Sequence, residues 1–147
     1  MRNDDDHQCS GDYRFMWAAT DAARQSDCNR ASVGCVIVAA GLVLARGANA
    51  TIDGIPGCDR IGHLLRDGHC IRPIHAEASA IARCAAQGLC VQGATMYVTH
   101  LPCYTCYKLA VMAGIRRIVY GEDYHDQATL EADARLHLLA HVRWGNA

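Results

Sequence analysis

Two short motifs restrict the fold of this chain more than any other feature of its sequence. The first, His75-Ala76-Glu77, stands at the start of an Ala-rich segment that predicts a helix over residues 74–87. The second, Pro102-Cys103-Tyr104-Thr105-Cys106, follows a predicted strand and opens a helix over 102–113. Histidine and cysteine bind the same metal ions, so we expect the fold to bring the two helix starts together.

The Cys-x-x-Cys motif leaves its own function open when it is read alone. At a helix N-terminus both sulfurs lie in the first turn, where free N–H groups and the helix dipole favour thiolates. Such a pair also fits a redox pair or half of a structural zinc ribbon. His75 adds a third ligand. Two thiolates and one neutral imidazole balance the charge of Zn²⁺ and leave one tetrahedral position open, which is typical of a catalytic site.

Glu77 gives this constellation a candidate acid–base group. A lone His-x-Glu pair is uninformative, because most such pairs are solvated helix residues. Followed by Pro-Cys-x-x-Cys, however, it resembles the signature of zinc-dependent nucleobase deaminases. The signature implies His75, Cys103 and Cys106 as ligands of a catalytic zinc, and Glu77 as the group that carries protons from water to the base and to the departing ammonia. Backbone N–H groups near Ala76 and Cys103 are candidates to orient the base.

The remaining pattern predicts one α/β domain over residues 1–147. Alternation of helices and strands indicates a three-layer α/β/α fold with a mixed central sheet. Residues 51–74 carry Gly, Pro, Cys and His without periodicity and are expected to form a long loop. The other expected elements are a flexible tail (1–10), a first helix (13–25), a hairpin (33–40 and 42–46), two strands (94–100 and 115–120), a last helix (127–140) and a short edge strand (141–144).

Composition and charge narrow the class of partner. The formal net charge is −1, whereas proteins that lie along a polynucleotide usually carry a basic surplus. We therefore expect a small-molecule nucleotide as substrate and no polynucleotide. No apolar run is long enough for a membrane helix, and the acidic start does not read as a secretory signal. We therefore expect a cytoplasmic location. In that compartment the nine cysteines would stay reduced, and clustered thiols more often bind metal there.

Several further blocks match one branch of the deaminases. They are Cys28-Asn29-Arg30, residues 93–99, the Pro102–Cys106 motif, Ala113-Gly114-Ile115 and residues 119–124. Over about residues 28–126 the chain resembles the deoxycytidylate (dCMP) deaminase family of the zinc-dependent cytidine deaminase superfamily, close to members similar to late-competence proteins. The resemblance implies a cytidine-deaminase-like fold, hydrolysis of dCMP to dUMP with release of ammonia, and a homo-oligomer.

The resemblance also implies how the substrate is bound. Arg30 matches a position that looks like a phosphate contact, although a plain surface arginine before a strand remains an alternative. Asn49 matches the residue that would hold the sugar hydroxyl. Relatives have Gly-Tyr-Asn-Gly where this chain has Gly47-Ala48-Asn49-Ala50, and Asn where it has Ser79. We expect Ala76 and Ser79 in the substrate pocket, and we expect the departures to reshape the pocket for the sugar.

A second metal site is implied in the loop before His75. Part of the family has a structural metal site that resembles the set Cys28, Cys58, His63 and Cys70. Four ligands would close the coordination of a structural zinc and order a loop with few apolar residues. His69 is left out as a loop residue. The alternative is a set of unrelated thiols in a flexible loop.

Two other functions remain open at this point. One is a deaminase of another small cytosine-like nucleotide, nucleoside or pathway metabolite, which the Gly47–Ala50 departures would favour. The other is a non-enzymatic, competence-type partner protein; Glu77 argues against it because binding zinc needs only the three ligands. A tRNA adenosine deaminase shares the metal motif but fits the charge balance and the Cys/His loop poorly.

Overall fold

Thirteen elements follow one another in the computed structural model, which describes residues 4–123, 128 and 140–144. In chain order they are α1 (Asp4–Ala23), β1 (Gly34–Ala39), β2 (Leu42–Ala48), β3 (Ala50–Thr51), α2 (Cys58–Ile61), β4 (Leu65–Arg66), β5 (His69–Cys70), β6 (Pro73–Ile74), α3 (Ala76–Ala86), β7 (Thr95–His100), α4 (Tyr104–Ala113), β8 (Arg117–Glu122) and β9 (Ala140–Arg143).

A mixed sheet in the order β2-β1-β7-β8-β9 forms the central layer. β1 is antiparallel to both β2 and β7, whereas β7, β8 and β9 run parallel. Side chains of β1 alternate between the faces: Val36 and Val38 pack with α1, while Cys35 and Ile37 pack with α3 and α4. Because helices cover both faces, the sheet is the middle of three layers. The predicted three-layer α/β/α fold with a mixed sheet is confirmed.

The helices differ from the sequence prediction mainly at their starts. α1 begins at Asp4, inside the segment expected to be a flexible tail, because its polar first turns carry no apolar periodicity to reveal them. α3 and α4 begin one residue after His75 and Cys103, which are their extended N-caps. The last helix, predicted over 127–140, lies almost wholly outside the described residues. Within those residues no helix is both long and apolar enough to span a bilayer.

The predicted loop over residues 51–74 contains short paired elements. β4 and β5 form a small hairpin, and β6 pairs with β3. The carboxylate of Asp27 accepts a hydrogen bond from the backbone N–H of Thr51 at 2.9 Å and so ties the segment to the end of α1. Apolar burial contributes little here, since Leu65 is 57% exposed. Polar contacts therefore hold this segment in place.

Two glycines allow helices to lie directly on strand backbones. A Cβ atom on Gly34 would collide with the backbone of α1 at Ala19 and Ala23. A Cβ atom on Gly47 would collide with the carbonyl oxygen of Ala76 and would stand 2.7 Å from the backbone nitrogen of Ala80. The first turn of α3 is thus pressed against β2, which fixes where this helix starts.

A buried ion pair ties α1 to the sheet. Arg117, at the start of β8, donates to both carboxylate oxygens of Asp12 at 2.8 and 2.6 Å, and the Tyr97 hydroxyl on β7 donates at 2.7 Å. Burial raises the pKa of Asp12, but the hydrogen bonds from Arg117 and Tyr97 outweigh burial and hold the pKa below its usual value. The carboxylate therefore stabilises the fold above the ordinary aspartate pKa, and this contribution declines as the pH falls through the lowered pKa.

Asp12→Ala should lower the free energy of unfolding by about 2–3 kcal/mol, because the partly buried guanidinium of Arg117, with 17% of its side chain exposed, loses its charged hydrogen-bond partner. Urea unfolding at pH 7 measures the change. Asp21→Ala is the matched control, since Asp21 forms an exposed pair with Arg24 at 3.9 Å that is worth less than about 1 kcal/mol. Equal losses in the two variants would show that the buried pair does not anchor α1.

Candidate metal centre and substrate cleft

The starts of α3 and α4 bring three metal-binding side chains together. His75 and Cys103 are the N-caps of the two helices, and Cys106 lies in the first turn of α4. The Nδ1 atom of His75 is 3.5 Å from the sulfur of each cysteine. Tetrahedral zinc with ordinary Zn–N and Zn–S bond lengths would separate these atoms by about 3.6 Å. The arrangement therefore fits a zinc ion that His75, Cys103 and Cys106 would hold.

The contact between the two thiols shifts their pKa values in opposite directions. A hydrogen bond from Cys106 lowers the pKa of Cys103 to about 4, and this same contact with a thiolate raises the pKa of Cys106. Backbone N–H groups of the helix starts, at Cys106 and Ala78, add further stabilisation to the sulfur charges. A divalent cation attracts both sulfurs as thiolates and displaces their protons, so metal binding is coupled to deprotonation.

Glu77 stands beside the three ligands in the first turn of α3. Its side chain is buried, with 4% of the residue exposed. Burial raises the pKa of Glu77 to about 7, even though the neighbouring His75 favours the charged form. A carboxyl group with a pKa near neutrality both accepts and donates protons readily, which suits acid–base catalysis.

A cleft of about 560 Å³ opens next to this centre. Arg30, Asn49 and Ala76, which the sequence predicts to bind substrate, line it together with Glu77. Asn49 also braces the cleft wall: its Oδ1 accepts from the backbone N–H of Val33 at 2.7 Å, and its Nδ2 donates to a backbone carbonyl at 2.6 Å. The arginine, the asparagine and the carboxyl group therefore line the same cleft.

Ser79 is not among the described residues that line this cleft. It follows Glu77 by two positions on α3, a rotation of about 200°, so the helix turns it away. Ser79 lines a second cavity of about 590 Å³ with Ala48 and Ala50, while Asn49 between these two alanines faces the first cleft. The expectation that the departures at these positions reshape the sugar pocket is corrected accordingly: all three side chains meet in the second cavity.

His100 lines the substrate cleft and was missed by the sequence analysis, which placed it only as the last residue of a strand. Its Nδ1 lies in a hydrogen bond with the hydroxyl of Thr99 at 2.9 Å, and its Nε2 is 3.4 Å from a carboxylate oxygen of Glu122. One feature of the sequence could have identified His100: it ends the strand that leads into the Pro-Cys motif. The last residue of that strand lies at the same edge of the sheet as the metal ligands.

A second cluster of ligand atoms lies at the rim of the same cleft. The sulfurs of Cys58 and Cys70 are 3.6 Å apart, and the sulfur of Cys28 is 3.7 Å from Nδ1 of His63. All four ligand atoms lie within 4.8 Å of one another, and His69 is outside the group. Although burial raises the pKa of Cys70, hydrogen bonds from the backbone and from His63 lower it to about 6. Three sulfurs and one imidazole form a closed donor set of the kind that holds structural zinc.

Comparison with known proteins places this geometry in a family. The model of the cytidine and deoxycytidylate deaminase zinc-binding region matches residues 10–122. ComE operon protein 2 of Bacillus subtilis is 44% identical over 110 residues, which cover 75% of this chain and 58% of that protein. Deoxycytidylate deaminase of Mycobacterium phage D29 is 36% identical over 124 residues, or 76% of this chain and 94% of the phage enzyme.

A solved structure agrees with the sequence relatives. The dCMP deaminase of cyanophage S-TIM5, in complex with dCMP and dUMP, superposes with a TM-score of 0.77 at 27% identity and covers 89% of this chain and 94% of that chain. The chain spans just over half the length of the B. subtilis relative and nearly all of the two phage enzymes. The matched region contains the three ligands and Glu77, and the chain belongs to the family of zinc-dependent cytidine and deoxycytidylate deaminases.

Proposed function

We propose that this chain hydrolyses dCMP to dUMP and ammonia. The observation that carries the proposal is the buried carboxyl group of Glu77, which lines a cleft of about 560 Å³ together with two members of a triad that could bind zinc. A cleft of this volume lies in the range that binds small molecules. The cyanophage enzyme with dCMP and dUMP bound, and the phage D29 relative, support this nucleotide as the substrate.

Glu77 would carry both protons of the reaction. When bound, zinc supplies the Lewis acid that makes a water molecule nucleophilic near neutral pH. The carboxylate of Glu77 takes a proton from that water and gives it to N3 of the pyrimidine, which makes C4 electrophilic. After the oxygen adds to C4, Glu77 takes the proton that remains on that oxygen and gives it to the exocyclic nitrogen. The C4–N bond then breaks, ammonia leaves, and Glu77 is again a carboxylate.

Arg30 and Asn49, which line the same cleft, would bind the rest of the nucleotide. Within the described part of the chain, Arg30 donates a hydrogen bond from Nη2 to the carbonyl oxygen of Gly68 at 2.8 Å, and its other N–H groups would bind a 5′-phosphate. Asn49 has one further amide proton and a second acceptor lone pair for the sugar. The net charge of −1 supports a single nucleotide over a polynucleotide.

We also propose a cytoplasmic homo-oligomer. Thiolate ligands at two clusters need a reducing compartment, which supports the cytoplasm. Large apolar side chains exposed on two helices, such as Trp17 on α1 and the 85% exposed Met112 on α4, support burial against further copies of the chain.

Ammonia release across a panel of dCMP, CMP, deoxycytidine and other cytosine compounds tests the substrate. We expect the highest kcat/KM for dCMP. Arg30→Ala should lower that value by about 10- to 100-fold, because a hydrogen bond to a charged group is lost, and should affect deoxycytidine much less. Equal losses on both substrates would assign Arg30 a structural role. Higher activity on another compound would favour the alternative deaminase, and no ammonia from any compound would favour the non-enzymatic partner protein.

Glu77→Gln should retain zinc and lose turnover, because the amide keeps the shape of the side chain but cannot accept a proton. We expect kcat to fall by roughly 10²- to 10⁴-fold, toward the upper figure since Glu77 serves two proton transfers. Metal analysis and ammonia release are measured on the same samples. Cys106→Ala is the comparison variant, which should lose about one zinc ion per chain together with its activity. A Gln variant within a few-fold of wild type would identify another residue as the base.

We propose that Cys28, Cys58, His63 and Cys70 hold a second, structural zinc, supported by their mutual distances and by the lack of apolar burial in the surrounding segment. Purified protein should then contain two zinc ions per chain. Cys58→Ser should remove one ion and lower Tm markedly, because structural zinc contributes directly to folding. Cys90→Ser, at an exposed thiol outside both clusters, should keep both ions. One zinc in wild-type protein, with Cys58→Ser as stable as the parent, would contradict the proposal.

A further inference from the structure

Arg30 is held at both ends by segments that carry the second cluster. Its backbone follows Cys28 by two residues, and Cys28 is a member of the cluster. Its guanidinium donates from Nη2 to the carbonyl oxygen of Gly68 at 2.8 Å, and Gly68 precedes Cys70 by two residues. The backbone of Arg30 is therefore positioned by Cys28, and its guanidinium is positioned through Gly68 by Cys70.

The carbonyl of Gly68 is rigidly connected to Cys70. Gly68 lies in the tight turn between β4 and β5, where Asp67 and Gly68 have φ values of 50° and 78°. β4 and β5 pair through Leu65 and Cys70, and the backbone N–H of Ile71 donates to the carbonyl oxygen of Leu64 at 2.8 Å. A displacement of the Cys70 sulfur therefore moves the turn and the acceptor for Arg30 with it.

The cluster also links this hairpin to the segment that bears Arg30. Its cross-links include the Cys28–His63 approach of 3.7 Å, the Cys58–Cys70 approach of 3.6 Å and a hydrogen bond between His63 and Cys70. Thiol and imidazole contacts of this kind are weak on their own, and the apolar side chains of the hairpin are exposed. Four bonds to one ion would replace these contacts and lock the two segments together.

We propose that the second metal positions Arg30 over the cleft and so sets the preference for a phosphorylated nucleotide. This inference rests on the proposed function. One of the five N–H donors of Arg30 is engaged by Gly68, which fixes the plane of the guanidinium and leaves the remaining donors for phosphate oxygens. Binding of a phosphate by two N–H groups of one guanidinium depends on how the guanidinium is oriented, because a shift of about 1 Å breaks such a bidentate contact. Cys28, Cys70 and Gly68 are positioning residues in this scheme.

The first experiment uses Cys58→Ser in the full chain, since Cys58 is a cluster member but is not among the described residues that line the cleft. The ratio of kcat/KM for dCMP to kcat/KM for deoxycytidine should fall about tenfold, through KM for dCMP. Calorimetry should show the Kd of dUMP rising about tenfold and that of deoxyuridine much less. In an Arg30→Ala background the same substitution should add no further loss of phosphate preference.

The second experiment uses Gly68→Ala, which keeps all four ligands. A Cβ at this position meets open space, but the φ of 78° is strained for alanine, so the turn and its carbonyl shift. We expect the same selective loss of dUMP binding at unchanged metal content. This variant decides the inference if Cys58→Ser fails to fold.

Equal effects of Gly68→Ala on dUMP and deoxyuridine, or no effect on either, would overturn the inference. A different result would contradict the proposed function, namely that the wild-type protein releases no ammonia from dCMP. The calorimetric comparison needs no turnover, so the two failures are distinguishable.

Discussion

The site depends on the close approach of the N-termini of α3 and α4 beside the sheet. This approach requires α3 to lie against β2 so closely that Gly47 has no room for a Cβ atom. It also requires α4 to cross between the parallel strands β7 and β8, a connection that places the helix start at the end of β7. Each helix then contributes its N-cap residue as a ligand. The metal centre is thus held by backbone packing before any ion binds.

The negative charge of its side chains explains why the centre formed by His75, Cys103 and Cys106 needs a cation. Two thiolates and the carboxylate of Glu77 would place three negative charges in a largely buried volume, which is costly without compensation. Burial raises the pKa of Glu77, and the contact with Cys103 raises that of Cys106, so both groups favour their neutral forms. A zinc ion held by His75, Cys103 and Cys106 would neutralise the two sulfur charges.

The sequence was sufficient for the chemistry because its signals are local. His75, Glu77 and the Cys-x-x-Cys pair each occupy a helix start, and helix starts can be recognised from composition and spacing. Side-chain direction was harder to infer: the matching of Ser79 to a substrate position ignored the rotation along α3. His100 could not be identified because its role depends on which strand ends share an edge. The start of α1 at Asp4 was missed because a polar helix has no apolar stripe.

Successive side chains at Gly47–Ala50 point in different directions, so neighbouring positions contact different parts of the molecule. Gly47 touches α3, Asn49 faces the substrate cleft, and Ala48 and Ala50 face the second cavity with Ser79. Mutational libraries aimed at a new base or sugar should therefore keep Gly47, which the packing of α3 requires, and vary residues that line the first cleft other than Glu77 and the metal ligands. Randomising Ala48, Ala50 and Ser79 together would instead redesign the second cavity, with the reaction centre left as an internal reporter of intact folding.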